Sequence, residues 1–106
     1  MFELTKKDDD TYHFILKAKN GQIILSSELY SSKGAAENGI ESVKKNSVED
    51  IRYERKTAKD GRFYFNLKSS NGQVIGSSQM YTSESGMENG IASVKKNASN
   101  ATKTSI

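Results

Sequence analysis

The feature that most constrains the fold is an internal repeat that covers most of the chain. The segment Asn20–Asn46 occurs again at Asn71–Asn97, at a constant offset of 51 residues and without a gap. Half of this 106-residue chain is too small to bury a core alone. The repeat therefore predicts a single domain over 1–106, built from two units at about 1–50 and 51–106.

Each unit has the residue pattern of three strands followed by a helix. Alternating apolar and polar residues predict an edge strand over 2–7 and a second strand over 11–18, and both patterns recur in the second unit. After the third strand, Ser31 and Ser32 can cap a helix that ends near Asn46. Residues 101–106 align by offset with 50–55, which predicts a short last strand after the second helix.

These elements predict an α+β fold of two tandem β-β-β-α-(β) repeats. The simplest arrangement is one antiparallel sheet with both helices packed on one face and a pseudo-twofold axis between the repeats. Gly39 and Gly90 lie in mid-helix, where glycine is about 1 kcal/mol less favourable than alanine, and they indicate close approach of helix and sheet. The predicted core consists of Tyr12, Phe14, Leu16, Phe63, Phe65, Leu67, Ile40, Val43, Ile91 and Val94.

The turn between the second and third strands decides which residues share a face of the sheet. Asn20-Gly21 predicts a two-residue type I′ turn, which needs positive φ at both positions. In the resulting register, Ile24 lies beside Lys17 on the face opposite the helices. The second unit predicts the same for its equivalent residue Ile75.

The repeated motif resembles that of a known family. It runs aromatic-x-Phe-x-Leu-Lys, then Asn-Gly-Gln-(Ile/Val)-Ile, Ser-x-x-Tyr and Glu-Asn-Gly-Ile-x-Ser-Val-Lys-Lys-Asn, and both units carry it. This pattern is similar to that of the YegP-like family, small and mostly bacterial proteins whose domain has no assigned function. The resemblance implies a β(3)-α-β unit, in tandem or as a dimer, with exchange of C-terminal strands. It implies no activity and no site residues.

Composition excludes several classes of function. Without cysteine there is no disulfide, thiolate metal site or thiol nucleophile. No segment has the features of a signal peptide, and the longest apolar run, Ile23–Leu25, is too short to span a membrane. We therefore expect a cytoplasmic protein without a membrane partner.

No group of residues predicts catalysis or a cofactor. His13 is the only histidine, and the second unit replaces it with Tyr64, which cannot act as the same base. Asp8–Asp10 lacks the glycine and closing glutamate of a calcium loop and is predicted to be a solvated turn. The expectation is a protein without catalytic residues, metal or cofactor.

Charge identifies a first candidate binding surface. The first 50 residues hold seven lysines and nine acidic residues, whereas the remainder holds nine basic and four acidic residues. Lysine pairs near the ends of the twin helices either complement the helix dipoles or form a symmetric cationic patch for an acidic partner or nucleic acid. That predicted patch consists of Lys44, Lys45, Lys95 and Lys96.

The sheet face opposite the helices is the second candidate surface. It is predicted to mix apolar, aromatic and cationic side chains, which is typical of an interaction surface. Its predicted members are His13, Ile15, Ile24, Tyr64, Asn66 and Ile75, with Lys17 and Lys68 beside them.

The sequence thus favours a small, soluble, non-enzymatic interaction module with an unknown protein partner. The alternative is weak binding of nucleic acid or of an acidic partner through the basic second unit and the helix ends. Because the tandem repeat already supplies a twofold partner, a monomer is expected.

Overall fold

The structure is a computed structural model that describes residues 1–98 and the main chain of residues 103–105. Its helices and strands follow the repeat: β1 (Phe2–Lys6), β2 (Tyr12–Lys17), β3 (Ile23–Ser26), α1 (Lys33–Asn46), β4 (Tyr53–Thr57), β5 (Phe63–Lys68), β6 (Val74–Ser77), α2 (Glu84–Ala98) and β7 (Lys103–Ser105). A short 3-10 helix, Asp50–Arg52, precedes β4. The predicted last strand is therefore present at 103–105, and residues 101, 102 and 106 lie outside the described residues.

All strands form one sheet in the order β4-β5-β6-β3-β2-β1-β7. The first six strands are antiparallel, and the two repeats meet where Ser26 of β3 pairs with Ser77 of β6. These two residues are 51 positions apart, so the pairing of equivalent residues places a pseudo-twofold axis between β3 and β6. This confirms the predicted fold class.

The C-terminal strand differs from the rest of the sheet. β7 runs parallel to β1, with Phe2 opposite Lys103 and Leu4 opposite Ser105. The prediction that β1 is an edge strand is therefore wrong, because a strand from the other repeat covers its outer side. Among the described strands, β4 and β7 form the edges of the sheet.

Both helices pack on one face and close a single core. The Ser32 hydroxyl caps α1 by accepting a hydrogen bond from the Ala35 main-chain N–H at 3.1 Å. The Ser83 hydroxyl caps α2 by accepting from the Gly86 main-chain N–H at 3.0 Å. Of the predicted core residues, Tyr12 and Phe63 are only partly buried, whereas the other eight are buried. The core gains residues from β1, β3, β4, β6 and the helices: Phe2, Leu4, Ile24, Leu25, Ala36, Tyr53, Ile75, Met87 and Ala98.

The hairpin turns differ from the predicted type I′ geometry. The Gly21 N–H donates to the Ala18 carbonyl at 2.9 Å, and only Gly21 of the Asn20-Gly21 pair has positive φ. The loop therefore has three residues instead of two. Asn20 uses its side chain: its Oδ1 accepts from the Gln22 N–H at 2.9 Å, a local hydrogen bond that fixes the turn.

A bulge in each third strand moves a predicted surface residue into the core. Leu16 lies opposite Leu25, but Lys17 lies opposite Ile23, so Ile24 is an extra residue between the two pairs. In such a bulge two residues oppose one, and the alternation of faces is interrupted. Ile24 is therefore 3% exposed, whereas Ile23 is 44% exposed.

The same turn closes all four hairpins, and one of them has a non-glycine residue in the left-handed position. Gly21, Gly61 and Gly72 have φ of 84° to 86°, whereas Asp10 has φ of 65°. A side chain is disfavoured there, so Asp10→Gly is expected to stabilise the fold by about 0.5–1 kcal/mol. The reciprocal change Gly61→Asp should destabilise it by a similar amount. Urea unfolding measures both, and a loss of stability in Asp10→Gly would contradict this assignment.

Candidate functional site

A groove between the β2–β3 turn and one face of α2 is the best candidate for a binding site. It has a volume of about 360 Å³. The turn of the first repeat forms one wall, and residues spaced three and four apart on the helix of the second repeat form the other. We call it the cationic groove; it is lined by Ala18, Lys19, Asn20, Asn89, Ala92, Ser93, Lys96 and Asn97.

The groove is positively charged because its two lysines have no acidic neighbour among the lining residues. Lys19 and Lys96 make no ion pair with any described residue, whereas nearby Lys17 is bound to Glu3 at 2.9 Å. The Asn20 side-chain oxygen is engaged by the turn, which leaves its amide N–H groups as donors. The groove thus combines two ammonium groups with amide donors, an arrangement suited to a carboxylate or phosphate.

The equivalent positions of the other repeat do not share this charge. By the 51-residue offset, Ser70 takes the place of Lys19, Glu41 that of Ala92, and Lys45 that of Lys96. Glu41 also lies 3.7 Å from Lys44. One cation and one anion therefore occupy the matching positions, so these positions of the other repeat carry no net charge.

The predicted lysine patch is divided by local ion pairs. Lys44 contacts Glu41, and Lys95 bonds Asp50 at 2.9 Å while its Nζ lies 5.6 Å from the centre of the Tyr53 ring. Lys45 is exposed, and Lys96 lines the groove. Of the four predicted residues, only Lys96 combines a concave position with a charge that no described residue pairs.

Lys95 belongs to a cluster that joins α2 to the start of the second repeat. Arg55 bonds Asp50 at 3.0 Å and Glu88 at 2.5 Å. The bonds from Lys95 and Arg55 lower the pKa of Asp50, and the bond from Arg55 lowers the pKa of Glu88. The pKa of the buried Tyr53 hydroxyl is raised chiefly by desolvation, so it stays protonated and donates to the Ser47 carbonyl at 2.8 Å.

This cluster predicts a loss of stability in acid. A carboxyl whose folded-state pKa is depressed contributes stability that is present above its unfolded pKa, near 4, and is lost as pH falls through the folded value. We therefore expect the free energy of unfolding to decrease below about pH 5. Arg55→Ala should make this decrease shallower in urea titrations across pH, whereas Lys59→Ala, at an exposed site without a described ion pair, should leave it unchanged. If the free energy of unfolding of Arg55→Ala decreased with falling pH as steeply as that of the unchanged protein, the assignment would be contradicted.

The open sheet face carries four of the six predicted residues. His13, Ile15, Tyr64 and Asn66 lie there, on the side opposite the buried Phe14, Leu16, Phe65 and Leu67. Ile24 and Ile75 do not, because the bulges bury them to 3% and 6% exposure in the core. Their neighbours Ile23 and Val74 take the face positions opposite Lys17 and Lys68.

Polar contacts cover much of this face. Glu3 pairs with Lys17, and Glu54 pairs with Lys68 at 3.0 Å. Asn66 donates to Glu54 at 3.0 Å and accepts from the Ser77 hydroxyl at 2.7 Å. The face is therefore more polar than the sequence predicts, and many of its polar side chains bond to one another.

His13 lies on the open face without a catalytic arrangement around it among the described residues. Its Nδ1 is buried and has no hydrogen-bond partner there. Desolvation, followed by the charge of Lys7, lowers the pKa of the imidazole. Within the same part of the chain, no group of three or more His, Cys, Asp or Glu side chains is placed to hold a metal ion.

Sequence reasoning missed the groove residues Lys19, Asn20 and Asn89. The signal was present as a difference between the units: the offset pairs Lys19 with Ser70 and Ala92 with Glu41. What the sequence did not show is that the turn of one repeat lies against the helix of the other.

Within the described part of the chain, neither helix has the length and apolar character needed to cross a membrane.

Known proteins share both the sequence and the fold. The family model for a domain of unknown function, DUF1508, matches the chain twice, at residues 8–54 and 58–104. The UPF0339 protein YegP of Escherichia coli (strain K12) is 57% identical over 101 residues, which are 95% of this chain and 92% of that protein. The solution NMR structure of a UPF0339 protein from Shewanella oneidensis has a TM-score of 0.93 and 49% identity, covering 98% of this chain and 88% of that one. The solution NMR structure of yegP from E. coli, described as a protein of unknown function, has a TM-score of 0.87 and 56% identity with the same coverage.

Proposed function

The chain belongs to the DUF1508 family, whose domain it carries twice in tandem, and from this premise we propose that it is a non-enzymatic binding module for an acidic protein partner. The cationic groove receives a carboxylate-bearing segment of that partner. The tandem repeat is the binding unit as a monomer, and we place its action in the cytoplasm. The relatives' names assign no activity, ligand or partner to set against this.

One observation supports the proposal above the others. Lys19 and Lys96, from different repeats, line the same groove without an acidic residue in its lining. Like charges held together without a counter-ion repel one another, and a bound carboxylate relieves that repulsion. An exposed ammonium–carboxylate contact at about 4 Å contributes about 1 kcal/mol in water. Two such contacts and two amide hydrogen bonds of about 1 kcal/mol each give about 4 kcal/mol, which predicts a dissociation constant on the order of 1 mM or weaker, and salt weakens it further.

Nucleic acid is the less favoured partner because described ion pairs engage five of the nine cations in the basic second unit. Backbone binding requires many cations free to replace counter-ions along the phosphates. Here local acidic residues hold the arginines and two of the lysines in ion pairs: Arg52 with Glu49, Arg55 with Asp50 and Glu88, Arg62 with Asp60, Lys68 with Glu54, and Lys95 with Asp50.

Charge reversal at the groove tests the proposal. The probe is an N-acetylated peptide of four alternating Asp and Glu residues, and calorimetry at low salt measures its affinity. Lys96→Glu should weaken binding by at least about tenfold, which corresponds to about 1.4 kcal/mol. Lys45→Glu is the matched control, since it makes the same change at the equivalent position outside the groove, and it should retain most of the affinity.

Two results would overturn the proposal. Equal losses in Lys96→Glu and Lys45→Glu would show a response to net charge instead of a site. Tighter binding of a single-stranded RNA of equal charge, with the salt dependence typical of phosphate contacts, would assign the basic surface to nucleic acid.

A further inference from the structure

Asparagine is followed by glycine at four places in the chain: Asn20-Gly21, Asn38-Gly39, Asn71-Gly72 and Asn89-Gly90. This pair is especially open to deamidation, because glycine has no side chain to hinder attack of its main-chain nitrogen on the asparagine side chain. The pairs in α1 and α2 are protected, since a helix holds that nitrogen in its hydrogen-bond ladder and both helical glycines are buried. The two pairs in the turns are exposed.

The two exposed pairs have the same main-chain restraints. The glycine N–H donates from Gly21 to the Ala18 carbonyl and from Gly72 to the Ser69 carbonyl, each at 2.9 Å. The asparagine Oδ1 accepts from the N–H two residues further on, at 2.9 Å in the first repeat and 3.0 Å in the second. Both turns must therefore open the same contacts before the asparagine can react.

A serine hydroxyl adds a restraint at Asn71 that Asn20 lacks. The Ser69 hydroxyl donates to Oδ1 of Asn71, whereas the equivalent position in the first repeat is Ala18. One hydrogen bond of about 1 kcal/mol corresponds to a factor of about five in population. We therefore expect the side chain of Asn20 to leave its position in the turn about fivefold more often than that of Asn71.

The surrounding charge also favours reaction at Asn20. Loss of the Gly21 amide proton and attack on the side-chain carbonyl both build up negative charge, which nearby cations stabilise. Lys19 and Lys96 line the cationic groove together with Asn20. The equivalent positions of the other repeat carry no net charge.

We propose that Asn20 is a site of spontaneous deamidation, that it reacts faster than Asn71, and that the carboxylate formed there closes the cationic groove to acidic ligands. The main-chain nitrogen of Gly21 bonds to Cγ of Asn20, its proton passes to water, and the side-chain nitrogen leaves as ammonia. Water then opens the resulting cyclic imide and leaves aspartate or isoaspartate at position 20. Water is the only co-reactant.

The aspartate product fits the turn that Asn20 occupies. Asp60 holds the corresponding position in the β4–β5 turn, where its Oδ1 accepts from the Arg62 N–H at 3.1 Å. The turn is therefore retained, while a carboxylate replaces an amide in the same groove lining as Lys19 and Lys96. Closure of the groove rests on the proposed function, because it requires that the groove binds a carboxylate of the partner.

The test of the site is a timed incubation of the full chain at mildly alkaline pH, followed by peptide mapping in a mass spectrometer. Asn20 should convert at least about fivefold faster than Asn71. Ala18→Ser supplies the missing hydroxyl and should slow conversion of Asn20, whereas Ser69→Ala should accelerate conversion of Asn71. Each variant places in one turn the residue that the other turn carries, so both should fold.

The test of closure compares two variants that carry the charge of the product. Asn20→Asp should weaken binding of the acidic peptide by at least about tenfold in an NMR titration. Asn71→Asp makes the same change at the equivalent position outside the groove and should retain most of the affinity.

Three results would overturn this inference. The first is conversion of Asn71 at the rate of Asn20 or faster, and the second is a rate at Asn20 that Ala18→Ser does not lower. The third is full affinity of Asn20→Asp for the acidic peptide. If the unchanged chain does not bind the peptide, the proposed function is removed, whereas the rates at Asn20 and Asn71 still decide the site of deamidation.

Discussion

Exchanging the residues at positions 25 and 76 is expected to restore most of the stability that either single substitution removes. Leu25 and Gly76 are 51 residues apart and lie on β3 and β6, beside the pseudo-twofold axis. Leu25 is 1% exposed and occupies the space that glycine leaves at position 76. A Cβ built at Gly76 would lie 2.8 Å from Cγ and Cδ2 of Leu25, closer than packed carbon atoms allow.

Each single substitution should be strongly destabilising, for opposite reasons. Leu25→Gly leaves a cavity, and we expect it to lower the free energy of unfolding by about 3–5 kcal/mol. Gly76→Leu overfills the same space and is expected to lose about 1–3 kcal/mol or more. In the double variant, the leucine side chain introduced at position 76 enters the space vacated at position 25, so the loss should be about 1–2 kcal/mol instead of the sum. Urea unfolding measures all three, and additive losses would contradict equivalence of the two positions.

Gly39→Ala should destabilise the protein although it improves the intrinsic propensity of the helix. Gly39 is buried in α1, and its built Cβ contacts the Tyr30 hydroxyl and lies 2.8 Å from Tyr30 Cζ and 2.9 Å from Phe14 Cε2. Tyr30 cannot move aside freely, because its ring stacks on Phe14 with centroids 6.1 Å apart. The cost of overpacking should exceed the gain of about 1 kcal/mol from helix propensity. We therefore expect the free energy of unfolding to fall by about 1–3 kcal/mol.

Gly34→Ala in the same helix is the matched control. A Cβ at Gly34 meets nothing within 4 Å, so this change should stabilise the fold by about 0.5–1 kcal/mol. Gly90→Ala in α2 should behave like Gly39→Ala, since its Cβ would lie 2.7 Å from Tyr81 Cζ. An increase in the free energy of unfolding of Gly39→Ala would show that Tyr30 and Tyr81 do not require glycine at the helix positions that they contact.

The sequence predicted the elements of the fold because its patterns have a local physical cause. The alternation around Phe14 and Phe65 gives strands, and Ser32 and Ser83 provide the hydroxyl caps that begin the helices. The repeat itself implied the pseudo-twofold pairing that Ser26 and Ser77 now show. Close approach at Gly39 and Gly90 was also predicted correctly.

The faces of the third strands were not predictable, because a bulge has no strong sequence signature. Asn-Gly is compatible with two-residue and three-residue loops, and the three-residue loop shifts the pairing by one position until the bulge at Ile24 restores it. That shift exchanges Ile24 for Ile23 on the open face. The groove was missed for a different reason: Lys19 and Lys96 are 77 positions apart in the chain and meet only in the packed structure.

We propose that the cationic groove, and not the open sheet face, is the binding surface. The most direct measurement is a titration of the ¹⁵N-labelled chain with the acidic peptide, followed residue by residue. We expect amide and side-chain shifts at Lys19, Asn20, Asn89 and Lys96 that diminish as salt is added. Shifts concentrated at Ile15 and Tyr64 on the sheet face, or no shift at low salt, would contradict it.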